Sequence, residues 1–300
     1  MARLSPTPPG RLAAAFARIS HWAVARLVLF ILVLIAVLIL SKVVTNPLIP
    51  PAASVYHRGA QMAANLASAG LLLVAYAWTV RLIERRRAIE LAIGPGVAPF
   101  LIGSLIGVAL MAAVYLTLDG LGLVAFAPGT GFEGLVGGLV AFFAAAVLEE
   151  LVTRAVIFRI VEEAAGTTIG IAVSAILFGL LHAFNPGATI ISTAAIAIEA
   201  GGLLAVAYAL TRNIWLVVGL HMAWNFTEGN IFGAQVSGES APHSLLRTTL
   251  SGPQFLTGGA FGPEASIVSV IVCLAAAVVI GALVMRRRGW QPRRLRLYLP

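Results

Sequence analysis

The sequence predicts an all-α fold: a polytopic membrane helix bundle of about eight transmembrane helices, with the N and C termini cytoplasmic. Three observations predict it. Of 300 residues, 60% are hydrophobic and 11% are charged, where a soluble domain carries about 25% charged residues; mean hydropathy is +0.97. The apolar residues gather in runs close to the ~20 residues that cross a ~30 Å hydrocarbon core. The basic residues, 19 Arg and the single Lys42, lie mostly in alternate loops between those runs and so on one side, as cytoplasmic loops require.

The runs fall at about 24–45, 60–80, 97–118, 135–158, 168–184, 188–210, 213–231 and 266–285. The first follows Arg3, Arg11, Arg18 and Arg26 and continues past Lys42 without a small-x-small cleavage site, so it reads as an uncleaved signal anchor. The Arg85-Arg86-Arg87 stretch with Ala88 to Ile93 reads as a helix lying on the cytoplasmic surface. In the sixth run, Gly201, Gly202 and Ala205 would let helices approach closely. The Gly-, Ser- and Pro-rich stretch from Glu228 to Glu264 reads as a mobile outer loop. With eight runs, one face receives Arg81, Arg85, Arg86, Arg87, Arg159, Arg212 and the terminal arginines, and the other only Lys42, Arg58 and Arg247. The chain is therefore one integral membrane domain over 1–300, without a repeat. No basic stripe is interleaved with aromatics, so the partner is the lipid bilayer and not a nucleic acid. Cys273, the sole cysteine, excludes an internal disulfide and reads as a small buried hydrophobe.

Polar residues inside these runs carry the functional signal, because an ionisable group in hydrocarbon costs a few kcal/mol or more. Three patterns occur in consecutive runs: Glu149-Glu150-x-x-x-Arg154, Phe178-x-x-x-His182 and His221-x-x-x-Asn225. Glu150 and Arg154, four apart, share a helix face and can pair. Glu149 is turned about 100° away, has no partner on its own helix and is left as a general base. His221 and Asn225 share a face, and Phe178 can pack beside His182. At 1.5 Å per residue, all three patterns lie within roughly 10 Å of one plane. Each pattern alone has a plain reading: EExxxR as a structural ion pair or proton relay, a lone His as a helix contact. Together, at one depth, they read as one polar site. Glu199, in the sixth run, is a further buried acid that could support the site, pair with Arg212 or bond to a backbone group.

These motifs resemble those of the CPBP family of intramembrane proteases (CAAX proteases and bacteriocin-processing enzymes, also called the Abi family), whose eukaryotic members trim prenylated CaaX proteins. The resemblance covers roughly 135–230, the expected catalytic core. It implies a peptidase of the type II CAAX prenyl endopeptidase kind, in which Glu149 with His182 activates water while His221 and Asn225 hold the oxyanion, supported by Glu150, Arg154 and Phe178. A metal reading stays open: Glu149, His182 and His221 could ligate Zn²⁺ with an open fourth position. No cofactor is favoured, since HExxH is absent and an Asn suits an oxyanion better than zinc. The implied substrate is a membrane-embedded peptide or lipidated protein, and the expected location a bacterial plasma membrane.

Other classes fare worse. Asp119 is the only Asp, one too few for an aspartyl intramembrane protease. The Ser-Gly pairs 237–238 and 251–252 lie outside the runs, against a rhomboid type. A proton-coupled transporter would show matched halves, which are absent. The remaining alternative is a non-catalytic membrane regulator or immunity protein that binds a membrane partner.

Overall fold

A computed structural model describes residues 22–240 and 242–288. Eight main helices follow the eight apolar runs. They are α1 (Ala23–Leu48), α2 (His57–Glu84), α3 (Gly94–Gly120), α4 (Leu135–Ala165), α5 (Thr167–His182), α6 (Ile190–Thr211), α7 (Ile214–Phe226, prolonged by wide turns over Thr227–Phe232) and α8 (Ile267–Arg288). Six of them, all but α5 and α7, are long and apolar enough to cross a membrane. The expected side of the termini rests on Arg3, Arg11, Arg18, Arg293, Arg294 and Arg296, which lie outside the described residues.

Helix α7 is the axis of the bundle: every residue from Leu216 to Asn225 is buried. It can be central because α3 meets it backbone to backbone. A Cβ on Gly103 would stand 2.0 Å from the Leu216 carbonyl oxygen, and one on Gly107 2.4 Å from that of Leu220. Without a hydrophobic drive between helices in lipid, such small-xxx-small contacts supply the packing. Gly201 serves α5–α6 likewise, where a Cβ would stand 2.7 Å from the Ala175 oxygen, whereas one on Gly202 would meet nothing closer than 3.9 Å. Asn213 starts α7 by accepting from Trp215 N at 3.0 Å, and Thr189 with Ser192 forms a capping box at the start of α6.

Two expectations are corrected. The segment after Arg85 is not a surface helix; it makes two short turns, Ile89–Leu91 and Gly94–Gly96, and inserts its polar groups into the bundle. Arg86 bonds Glu84 at 2.8 Å and Glu90 at 2.7 Å, Tyr76 donates to Glu90, and Arg159 reaches Glu84 at 2.9 Å. Arg26 of α1 completes the network, 2.6 Å from Glu163. Three arginines thus face three glutamates (84, 90 and 163), and a segment whose charges are so matched gains more by burial than by lying on a surface.

The stretch from Glu228 to Glu264 is folded rather than irregular. Strand β1 (Val124–Pro128) pairs antiparallel with β4 (Leu246–Leu250), and β2 (Gln235–Val236) with β3 (Glu239–Ser240). The β2–β3 hairpin turns at Ser237 and Gly238, both with left-handed φ (51° and 81°), the pairing a two-residue hairpin turn demands. Ser237 N and Oγ both donate to Glu264, at 2.5 and 2.8 Å, and Asn185 Nδ2 donates to the Ser237 oxygen at 3.0 Å. These strands are the only departure from an all-α fold among the described residues.

Candidate active site

The site is built on an irregular stretch of α4. After Glu150 the helix widens into π-type turns over Leu151–Phe158, a distortion common at functional sites. Thr153 Oγ1 donates to the Glu149 carbonyl at 2.5 Å, and Ser174 Oγ of α5 donates to the Thr153 carbonyl at 2.9 Å. The backbone that carries Glu149 and Glu150 is therefore tied to the helix that carries His182.

Arg154 is fully buried and anchors the supporting shell. It donates to Glu150 Oε1 at 3.1 Å and to Thr153 Oγ1 at 2.7 Å. It also reaches the carbonyls of Ala200 and Gly201, at 3.3 and 3.1 Å. Both carbonyls lie in the stretch where α6 also widens, Ala197–Gly202. The guanidinium lies 4.6 Å from the centre of the Phe178 ring, a favourable cation–π distance. Phe178 in turn lies 4.7 Å from the His182 ring and 5.8 Å from that of His221. The ring is thus a spacer on which the cation and both imidazoles are seated, more than the simple neighbour of His182 that its spacing predicts.

Each imidazole has one nitrogen fixed. His221 Nδ1 lies 2.9 Å from Glu150 Oε1, and His182 Nδ1 lies 2.8 Å from the Phe178 carbonyl. Both partners only accept, so the proton is assigned to Nδ1 in each ring and the neutral form presents a bare Nε2. Those two Nε2 atoms face the same oxygen, Glu149 Oε2, at 3.7 Å from His182 and 3.8 Å from His221. Glu149 Oε2 has no hydrogen-bond partner among the described residues. Three acceptors converge on one point, too far apart to bond directly and at the span a bridging donor fills. Asn225, one turn beyond His221, is buried and lines a cavity together with His182, His221, Glu199, Ser237 and Glu264.

The donor types, two imidazoles and a carboxylate, are those of a zinc site, and Glu150 behind His221 is the customary outer partner. Ligands about 2.1 Å from a tetrahedral ion stand about 3.4 Å apart; the observed 3.7 and 3.8 Å are wider. No group of three His, Cys, Asp or Glu placed to hold a metal occurs among the described residues.

The structure brings Glu149, Glu150, Arg154, Phe178, His182 and His221 into one contact network, with Asn225 beside it. Glu199 does not pair with Arg212. Arg212 ends α6, about 20 Å further along the helix, and pairs with Glu162. Glu199 instead accepts from the thiol of Cys273 at 3.2 Å, so Cys273 is a donor and not merely a filler. Sequence reasoning missed Glu228 and Glu264, both buried, with the Glu264 amide donating to Glu228 at 3.1 Å. They flank a Gly-, Ser- and Pro-rich stretch and carry no spacing signal that separates them from solvated loop acids.

Fold and site together define a membrane-embedded helical bundle with a carboxylate and two histidines at its centre. Residues 131–227 match the family described as Rce1-like, Type II CAAX prenyl endopeptidase. That span holds all three motifs, and over it the chain is similar to the CPBP/CAAX protease family of membrane peptidases. No curated protein and no solved structure matches the chain.

Proposed function

We propose that the protein is an intramembrane endopeptidase that hydrolyses a peptide bond in a membrane-anchored or hydrophobic peptide, prenylated CaaX-like termini among the substrate classes, with Glu149 and His182 activating water. The observation that carries this reading is the convergence of Glu149 Oε2 with the Nε2 atoms of His182 and His221 at 3.7 and 3.8 Å. Glu149 Oε2 and His182 Nε2 are two acceptors that a water between them satisfies with its two protons. Glu149 takes a proton from that water, the oxygen attacks the scissile carbonyl carbon, and the carbonyl oxygen becomes an oxyanion. Asn225 Nδ2 donates to it, joined by His221 Nε2 once that ring has taken up a proton from solvent, a charge the Glu150 carboxylate 2.9 Å from Nδ1 balances. Collapse breaks the C–N bond, and the proton held by Glu149 passes to the leaving amine. The proposed chemistry uses no metal.

The test is cleavage of a panel of lipidated and unlipidated hydrophobic peptides by the purified protein. Wild type and Glu149→Gln are compared, each with and without a zinc chelator. Cleavage lost in Glu149→Gln and indifferent to chelator is expected. Cleavage abolished by chelator and restored by zinc would replace the water-activating carboxylate with a metal. Full cleavage by Glu149→Gln would sink the reading.

A further inference from the structure

Against His182, His221 and Asn225 lies a cavity that Glu149 does not line. Its empty volume is about 360 Å³, but only about 20 Å³ is open to the centre of a water molecule. That is room for one water, which needs about 10–15 Å³ by the same measure, and not for an organic ligand.

The remaining wall mixes aliphatic side chains with Glu199, Trp224, Ser237 and Glu264; Ser237 and Glu264 bond each other, which leaves Glu199 and Trp224. Glu199 is 1% exposed and Trp224 5% exposed, and both line the cavity. Each carries a buried atom without a partner in the protein: Glu199 Oε1, an acceptor, and Trp224 Nε1, a donor. Burying either without a hydrogen bond is costly. A single water within reach of both would satisfy them, accepting from the indole and donating to the carboxylate.

The position is built rather than incidental. Glu199 sits on the widened turn of α6, its other oxygen is held by Cys273, and the next two carbonyls of that turn are held by Arg154. The EExxxR motif therefore fixes the water-holding carboxylate as well as the base. A water so held keeps one proton and one lone pair free in a space shared with His182, His221 and Asn225.

We infer that Glu199 and Trp224 form a water site that stores the hydrolytic water beside the histidines, inside a bundle whose outer faces are apolar. Its link to hydrolysis rests on the proposed function; the site itself does not. Glu199→Leu removes the acceptor, Trp224→Phe removes the donor and keeps the ring, and Glu199→Gln restores an acceptor.

The experiment measures kcat, KM and thermal unfolding for these variants and for the Glu199→Leu/Trp224→Phe double, with Glu149→Gln as control. Each single variant should lower kcat about tenfold with KM unchanged, and the double should fall no further, since either change evicts the same water. Glu199→Gln should recover most of the loss seen in Glu199→Leu. Losses that multiply in the double, kcat unchanged in both singles, or a rise in KM alone would overturn the inference. If wild type cleaves nothing, the peptidase reading fails, and if Glu149→Gln still cleaves, the role of Glu149 fails; in both cases the unfolding data still decide the water site: coupled effects at 199 and 224 support it and additive effects refute it.

Discussion

Replacing Glu150 by Gln should separate charge from shape at the centre of the bundle. Glu150 and Arg154 have fully buried side chains 3.1 Å apart. Gln keeps an acceptor for His221 Nδ1, now 2.9 Å from Glu150 Oε1, but leaves the guanidinium without a counter-charge. Removing one partner of a buried pair costs about 3–5 kcal/mol. Here the lower end applies, because Arg154 retains Thr153 Oγ1, the Ala200 and Gly201 carbonyls and the Phe178 face. About 3 kcal/mol at roughly 2–4 °C per kcal/mol gives a fall in Tm of the order of 10 °C. The double Glu150→Gln/Arg154→Met removes both charges with similar volume and should regain most of that loss, as buried pairs replaced by apolar side chains do. The assay is thermal unfolding of the purified protein in detergent, with peptide cleavage followed in parallel. A single variant within about 1 kcal/mol of wild type, or a double no better than the single, would refute the view that the pair is needed only because each member is present.

Two more perturbations test the frame around the site. Gly107→Val places a branched side chain where a Cβ already meets the Leu220 oxygen at 2.4 Å; it should destabilise by about 1–3 kcal/mol or more and displace α7, so a variant that matches wild type in unfolding and cleavage would show the α3–α7 contact to be dispensable. Glu90 lies between α2 and α3; burial alone would raise its pKa, but the Arg86 hydrogen bond and the Arg159 and Arg86 charges prevail and hold it below the ordinary value of 4.5. A depressed carboxylate stabilises the fold above its unfolded pKa, so this contribution should persist at neutral pH and be lost as pH falls below about 4. Thermal unfolding from pH 6 to 3 should show a steeper acid loss in wild type than in Glu90→Gln, and equal slopes would count against it.

The sequence by itself determined the class of the molecule and the residues of its candidate site. Long apolar runs can satisfy their backbone only as helices in lipid, so the helical bundle was legible, six of its helices long and apolar enough to cross a membrane, and so were the pairings that depend on one helix alone: Glu150 with Arg154, Phe178 beside His182. Their spacing is local geometry, which 3.6 residues per turn dictates. Residues 131–227, where the family match falls, are also where the motifs lie.

Only the tertiary structure decided contacts between helices. That Glu150 anchors His221, that Arg154 caps the carbonyls of a widened α6, and that Phe178 seats both imidazoles depend on distortions in α4 and α6 that no periodicity announces. Arg86 and Glu90 look like surface charges until their partners from α2 and α4 are placed beside them. Glu199 looks like a match for Arg212 until the helix separates them and offers Cys273 instead. A charge in sequence has a cost but no address; its partner is chosen by packing, and packing at Gly103 and Gly107 is what brings α7, with His221 and Asn225, to the centre.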